Sequence, residues 1–510
     1  MRLPRGFTRR DFVLASLAGL AGLAHKATAE PSQEPRPDTY SQLLELTVTD
    51  AVALLRSGDL SAVTYATALL SQCVRKRQLN AFIYLDENRV MDGAVAADKR
   101  RRSGAELGPL HGLPVPIKDN IDTANAPTSA GTPALRRHRP KANAPVAQSL
   151  FSAGAILLGK TNMHELAYGI TSNNAGFGPV HNPYNASLIP GGSSGGTAVA
   201  IAARMCPGGL GTDTGGSVRI PAALCGIVGL RPTVGRYPGR GIVPISHTRD
   251  TAGPMARSIQ DLVLLDSVIT ADARPIAATG LRGTRIGIPR GFFYDNLDAQ
   301  LVPVVESALA KLRDAGCVLV EADVSDVQKL AGAITAPISF YESLVDLSEY
   351  LKASGSDLGV TDVVAQIASP DVKALYDEFI VGPKAPTLEA YQTAMDKGRP
   401  ALQAVYRDYF SDHNVVAMAF PTTPLPARPI GQDKEVELNG KQVSTLFTYL
   451  RNARPMTPAG IPGLSLPIGM TSDGLPVGLE LDAPLGEDRR LLSLALAMEE
   501  VFGQLKPPPI

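Results

Sequence analysis

The sequence predicts an α/β fold, a single large domain in which a central β-sheet is covered by helices. Three observations predict it. Apolar runs of strand length alternate with stretches of helical spacing along most of the chain. The 510 residues are 44% hydrophobic, enough material for a large core. No internal repeat and no clean boundary divides the chain into two domains.

The elements follow in order. Leu46, Val48, Ala51, Leu54 and Leu55 set a helical pattern over residues 47–57, and a second one covers 61–77. Residues 143–151 read as a helix, and Ala153-Gly154-Ala155-Ile156-Leu157-Leu158-Gly159 as the buried strand after it. Residues 196–205 return to helix. An amphipathic helix over 300–315 precedes a strand from Cys317 to Glu321. The stretch 325–415 is helical and more polar, which suits a peripheral layer or lid. Leu438-Asn439-Gly440-Lys441 is a hairpin turn, because Asn-Gly tolerates the positive φ such a turn needs. Leu464 to Met470 and Val477 to Leu481 form a second hairpin through Thr471-Ser472-Asp473-Gly474, and a helix over 486–502 closes the fold.

Composition excludes several functions. Forty-nine basic and 49 acidic residues balance, so no excess cation is available to neutralise nucleic-acid phosphates. Trp is absent and aromatics are 5%, leaving no stacking platform for single strands. At 19% charged residues and moderate hydrophobicity the chain is not disordered. Cys73, Cys206, Cys225 and Cys317 are far apart without metal spacing, and read as buried free thiols.

The N-terminus reads as an address. Arg2, Arg5, Arg9 and Arg10 precede the apolar run Phe12 to Leu23, and Ala27-Thr28-Ala29 follows as a small-residue cleavage site. The run is too short to span a membrane. Thr8-Arg9-Arg10-Asp11-Phe12-Val13-Leu14 resembles the twin-arginine consensus, which exports folded proteins. Residues 1–29 are therefore expected to be a twin-arginine-type signal peptide and 30–44 a Pro-rich linker, with the main domain at 45–510. Cleavage would leave a mildly acidic periplasmic chain without stable membrane insertion. The sequence leaves oligomeric state open, with a homodimer as one option.

Three motifs compete for the chemistry. Gly154-x4-Gly159-Lys160-Thr161 matches a P-loop, but Ala155, Ile156, Leu157 and Leu158 belong in a strand rather than a phosphate-cradling turn. Gly192-Ser193-Ser194-Gly195-Gly196 matches the nucleophile elbow G-x-S-x-G. That reading needs a base histidine downstream, and only His247 and His413 follow residue 181, neither in a triad-like loop. The third pattern is longer. Lys118 lies in Gly112-Leu113-Pro114-Val115-Pro116-Ile117-Lys118-Asp119-Asn120. Pro190-Gly191-Gly192-Ser193-Ser194-Gly195-Gly196-Thr197 comes next, then Gly211-Thr212-Asp213-Thr214-Gly215-Gly216-Ser217-Val218-Arg219-Ile220-Pro221-Ala222. A serine hydroxyl needs a neighbouring base. Without a histidine, the plausible base is a lysine made neutral by burial, and the apolar run before Lys118 would bury it. Standing alone, Lys118 would better suit a surface lysine paired with Asp119; the Gly-Gly-Ser elements reverse that reading.

Two Gly-Gly-Ser elements 24 residues apart, downstream of such a lysine, closely resemble the amidase signature family. The resemblance extends through Gly159-Lys160-Thr161-Asn162-Met163, Cys225-Gly226-Ile227-Val228-Gly229-Leu230-Arg231-Pro232-Thr233, Asp250-Thr251-Ala252-Gly253-Pro254-Met255 and Pro421-Thr422-Thr423-Pro424, and spans roughly residues 45 to 502. It implies the amidase signature fold around a central mixed β-sheet. It also implies Ser217 as nucleophile, Ser193 as bridging serine after a cis peptide, Lys118 as base, and the amides of Thr214, Gly215, Gly216 and Ser217 as oxyanion hole. Ser194, Asp213, Arg219 and Asp250 are candidates to support these, Arg219 and Asp250 as a buried pair that fixes the serine loops.

Within the family, Gly235-Arg236-Tyr237-Pro238 and Gly241-Ile242-Val243-Pro244-Ile245-Ser246-His247-Thr248-Arg249-Asp250 look like the mandelamide and indoleacetamide hydrolase branch. The expected activity is hydrolysis of an apolar, aryl-acetic type primary amide, with Ala167 to Ser172 and the 330–450 region lining the pocket. An aryl-acylamidase, esterase or carbamate hydrolase would use the same residues. An amidotransferase subunit acting on charged tRNA fits the export signal poorly, and a periplasmic binding protein has no use for the serine loops. The small-molecule amide is the expected partner; no metal and no cofactor is implied, since the histidines are scattered and no carboxylate cluster accompanies them.

Overall fold

The computed structural model describes residues 37–509. The expected signal peptide, residues 1–29, and residues 30–36 lie outside the described residues. The last part of the expected linker is instead a helix, Pro37–Leu44. A proline in the first helical turn loses no hydrogen bond, and Leu43 and Leu44 are buried, so the proline-rich composition hid a helix start. Residues Gln42–Ile510 form one unit, which holds the whole candidate site.

An 11-stranded sheet runs through this unit. Its strands are β1 (Phe82–Leu85), β2 (Pro114–Lys118), β3 (Ile156–Thr161), β4 (Gly208–Asp213), β5 (Val228–Arg231), β6 (Thr251–Ala256), β7 (Arg285–Ile288), β8 (Val318–Glu321), β9 (Ala417–Pro421), β10 (Gly463–Met470) and β11 (Pro476–Asp482). The order across the sheet is β1-β3-β2-β4-β6-β5-β10-β11-β9-β7-β8. The sheet is mixed. β2 runs parallel to β3 and β4, and β7 parallel to β8 and β9. The pairs from β4 through β6, β5, β10 and β11 to β9 are antiparallel.

Most helices start where the spacing and caps put them. Thr47 caps Val48–Ser57 by accepting from the Asp50 N–H, and Ser61 caps Ala62–Arg75 through Thr64. Leu301–Asp314 matches the expected amphipathic helix and Asp488–Phe502 the expected closing helix. The strand expected from Ala153 begins later, at Ile156, because Gly154 turns the chain with a φ of 96°. It continues to Thr161, so the P-loop string is a strand. The Asn439-Gly440 turn, both residues at positive φ, joins Glu435–Leu438 to Lys441–Ser444. β10 and β11 are the second hairpin.

One core fills the space between β5, β7 and β9–β11 and the helices Ile259–Thr270, Leu301–Asp314 and Asp488–Phe502. Another packs Leu347, Val363 and Tyr376 of the helical layer against Leu166, Tyr168 and Val243, and a third packs Val327, Ile334 and Ile338 against Phe293, Met418 and Phe420. The polar stretch 325–415 is therefore a covering layer, led by the long helix Val327–Ser354. All four cysteines are free and buried, as expected.

Candidate active site

Lys118 ends β2, a strand whose five residues are all buried. The pairing register of β2 shifts between Val115 and Pro116, so the proline falls at an irregularity, where its missing N–H is tolerated. The strand carries the lysine side chain into the interior, where it is fully buried. Its Nζ lies 2.7 Å from Ser193 Oγ and 2.8 Å from Thr212 Oγ1. The alternative partner, Asp119, instead faces Lys160 at 3.9 Å and accepts from Ser129. Burial pushes the Lys118 ammonium down to about 7, against a weaker pull from Asp213 and Asp250.

Ser193 follows a cis Gly192–Ser193 peptide and precedes the buried helix Gly195–Ala202. Glycine is required here: a side-chain carbon on Gly196 would come within 2.3 Å of the Asn162 carbonyl. Ser194 does not act as an elbow nucleophile. Its hydroxyl donates to the Thr212 carbonyl at 3.1 Å, and no histidine reaches it among the described residues.

Ser217 lies in the turn between β4 and the helix Arg219–Cys225. It is nearly buried, and its hydroxyl makes no hydrogen bond among the described residues. The Ser194 N–H donates to the Ser217 carbonyl at 3.1 Å, which ties the two serine loops together. Gly216 has a φ of 125°, and a side-chain carbon there would meet Ile220 and Ala453 at 2.8 and 2.9 Å.

Asp213 shapes this turn. Its carboxylate accepts from the Gly216 N–H at 2.9 Å, the Val218 N–H at 3.0 Å, Arg219 and Arg231. Burial raises its pKa, but the two guanidinium groups outweigh burial and hold it well below the usual carboxylate range. The Gly216 N–H is thus already committed to Asp213, which leaves the Thr214, Gly215 and Ser217 amides of the four expected donors for an oxyanion.

The expected Arg219–Asp250 pair is not formed. Arg219 binds Asp213 and Glu480 of β11 and donates to the Ala453 carbonyl. Asp250 instead accepts from the Thr214 hydroxyl at 2.5 Å and from the Ile245 and Ser246 amides. The nearer carboxylate, six residues back in the same turn, captures the arginine. Glu480 was not foreseen, since a lone acid in a late strand carries no sequence signal. Thr212 and Arg231 also escaped notice as site residues, although both stand inside the quoted motifs.

Among the described residues the structure brings two histidines to carboxylates: His164 Nε2 lies 2.9 Å from Asp371, and His247 meets two acids. His247 Nδ1 lies 3.0 Å from Asp346, 99 residues later in sequence, and Nε2 lies 3.7 Å from Glu342. Their ligand atoms lie within 4.8 Å of one another. The Glu342 oxygens accept from Ser246, Thr248 and Tyr391, so the group works as a latch between the 245–250 segment and the long helix.

A buried lysine in hydrogen-bond contact with one of two linked serine loops, on a mixed α/β sheet, defines a class of protein. The amidase family model matches residues 66–492, and the chain belongs to the amidase signature family of amide hydrolases. It is 45% identical to an indoleacetamide hydrolase of Agrobacterium vitis over 88% of this chain and 95% of that one. It is 39% identical to a mandelamide hydrolase of Pseudomonas putida over 91% and 93%. The structure of a peptide amidase from Stenotrophomonas maltophilia superposes with a TM-score of 0.78 at 32% identity, covering 91% of this chain and 98% of that one.

Proposed function

We propose that this amide hydrolase works through an acyl-enzyme on Ser217 and acts on primary amides of aryl-acetic type acids, releasing the acid and ammonia. The observation that carries the mechanism is the 2.7 Å contact between fully buried Lys118 and Ser193. A neutral lysine amine has two N–H groups and one lone pair. Thr212 Oγ1 at 2.8 Å and the Thr212 carbonyl at 3.4 Å can take the two N–H groups. The lone pair then faces the Ser193 hydroxyl.

In the first half-reaction Ser217 gives its proton to Ser193, and Ser193 gives its own to Lys118. Ser217 Oγ bonds to the amide carbon, and the oxyanion is held by backbone amides of the 214–217 turn. Ser193 next protonates the leaving nitrogen and recovers a proton from Lys118, the C–N bond breaks, and ammonia departs. Water then attacks the acyl-enzyme, its proton passes through Ser193 to Lys118, and the returning proton frees Ser217 and the acid.

The substrate class rests on the relatives. Indoleacetamide and mandelamide, in the names of two of them, are both acetamides bearing an aryl group on the carbon next to the carbonyl. We also propose that residues 1–29 export the chain to the periplasm, on the order of basic residues, apolar run and Ala27-Thr28-Ala29.

The test is hydrolysis by wild type and Ser217→Ala of a panel of aryl-acetic and aliphatic amides, read as ammonia, with anilides, esters and carbamates beside them, read as the released amine or alcohol. Preference for aryl-acetic amides that vanishes in the variant supports the reading. Preference for an anilide, ester or carbamate would overturn the substrate class, and activity surviving Ser217→Ala would overturn the nucleophile.

A further inference from the structure

The 245–250 segment, which carries His247-Thr248-Arg249-Asp250, has no part in the serine–lysine relay. In the structure its last two residues grip one residue of the catalytic turn from two sides. Asp250 takes the Thr214 hydroxyl at 2.5 Å. Arg249 Nη2 donates to the Thr214 carbonyl at 3.1 Å.

That carbonyl belongs to the same peptide unit as the Gly215 N–H. The unit is planar, so fixing the carbonyl fixes the direction of the N–H. A cationic donor on the carbonyl also polarises the unit and makes its N–H a stronger donor.

Arg249 is built for a fixed position. It is buried, and Nη2 also donates to Thr457 Oγ1 at 2.6 Å, while Nη1 donates to Ser339 on the long helix. Among the described residues it has no carboxylate at ion-pair distance, and its Nε has no partner. Arg231 and Arg454 repel its charge, Asp250 and Glu342 offset it only from a distance, and burial is the largest of the effects that lower its pKa. An unpaired buried charge is costly, and one held beside a reaction centre that develops negative charge has a use.

We propose that Arg249 is a positioning residue of the hydrolysis. It aims and polarises the Thr214–Gly215 peptide as an oxyanion donor, and the covering layer sets it through Ser339. This rests on the reading of Ser217 as the nucleophile, which the Ser217→Ala control tests separately.

The experiment compares wild type with Arg249→Gln, Arg249→Lys and Ser339→Ala on the best amide of the panel. It also measures inhibition by the aldehyde of the same acyl group, which forms a tetrahedral adduct on the serine, and by the product acid. Arg249→Gln is expected to lower kcat about ten- to a hundredfold with KM little changed. Aldehyde affinity should fall in parallel while product-acid affinity holds. Arg249→Lys should recover part of kcat, and Ser339→Ala should show a smaller fall of the same kind. If the Arg249 variants fail to melt cooperatively, Ser339→Ala decides alone. Unchanged kcat and aldehyde affinity, or losses of substrate and product affinity equal to the loss of aldehyde affinity, would overturn the proposal.

Discussion

Asp213 and Arg219 hold each other by two hydrogen bonds, Nε to Oδ2 at 3.1 Å and Nη2 to Oδ1 at 3.0 Å, with both side chains fully buried. Removing the carboxylate charge leaves two buried guanidinium groups short of a partner, since Arg231 shares the same oxygen. Asp213→Asn is therefore expected to cost about 3–5 kcal/mol of stability, measured by denaturant unfolding. The sign with pH follows from the depressed pKa. The contribution is complete above the ordinary carboxyl value of 3.8 and is lost only as pH falls below it toward the folded value. Melting curves above about pH 5 should not report this group; a difference between wild type and variant that shrinks already between pH 8 and 6 would contradict the assignment.

The pH dependence of activity should report Lys118. As the proposed base Lys118 must be neutral, and burial pushes its pKa down to about 7. The kcat/KM of the wild type is expected to rise with pH through that value and level off above it. A profile that falls through the same range would mean that the charged lysine is the active form.

Relay members act as a unit, so their losses do not add. Lys118→Ala and Ser193→Ala should each lower kcat by at least about a hundredfold. The double variant should be little worse than the poorer single one. Multiplying losses would show that the two residues, 2.7 Å apart, serve separate steps.

An acyl-enzyme leaves a trace. Hydroxylamine added to a turning-over reaction should divert product from the acid to the hydroxamate, and Ser217→Ala should abolish both. A hydroxamate yield that survives Ser217→Ala would move the nucleophile elsewhere.

Export is testable on residues 1–29. Arg9→Lys with Arg10→Lys is expected to leave activity in the cytoplasmic fraction while the parent chain delivers it to the periplasm. Equal distribution of the two would rule out the twin-arginine route.

Much of the fold was legible because each element carries its own local signal. Thr47 and Ser61 announce helix starts, and Asn439-Gly440 announces a turn. Pro37 misled, because a proline looks the same in a linker and in the first turn of a helix. The site was legible where residues cluster in sequence. Ser193, Ser217 and Lys118 stand in long motifs. The partners of Arg219 were half visible: Asp213 lies six positions away, whereas Glu480 reaches it only across the sheet. His247 and Asp346 meet by tertiary packing alone, so no spacing rule could find them.

The order of strands has a consequence for how the chain is made. β10 and β11, near the end of the sequence, lie in the middle of the sheet, between β5 and β9. Until they are synthesised, β1–β6 and β7–β9 have no seam to join them. Glu480, which holds Arg219 beside the catalytic turn, arrives on that same hairpin. A chain that lacks this hairpin therefore has no strand to bridge its two half-sheets, and Arg219 has lost one of its two carboxylates.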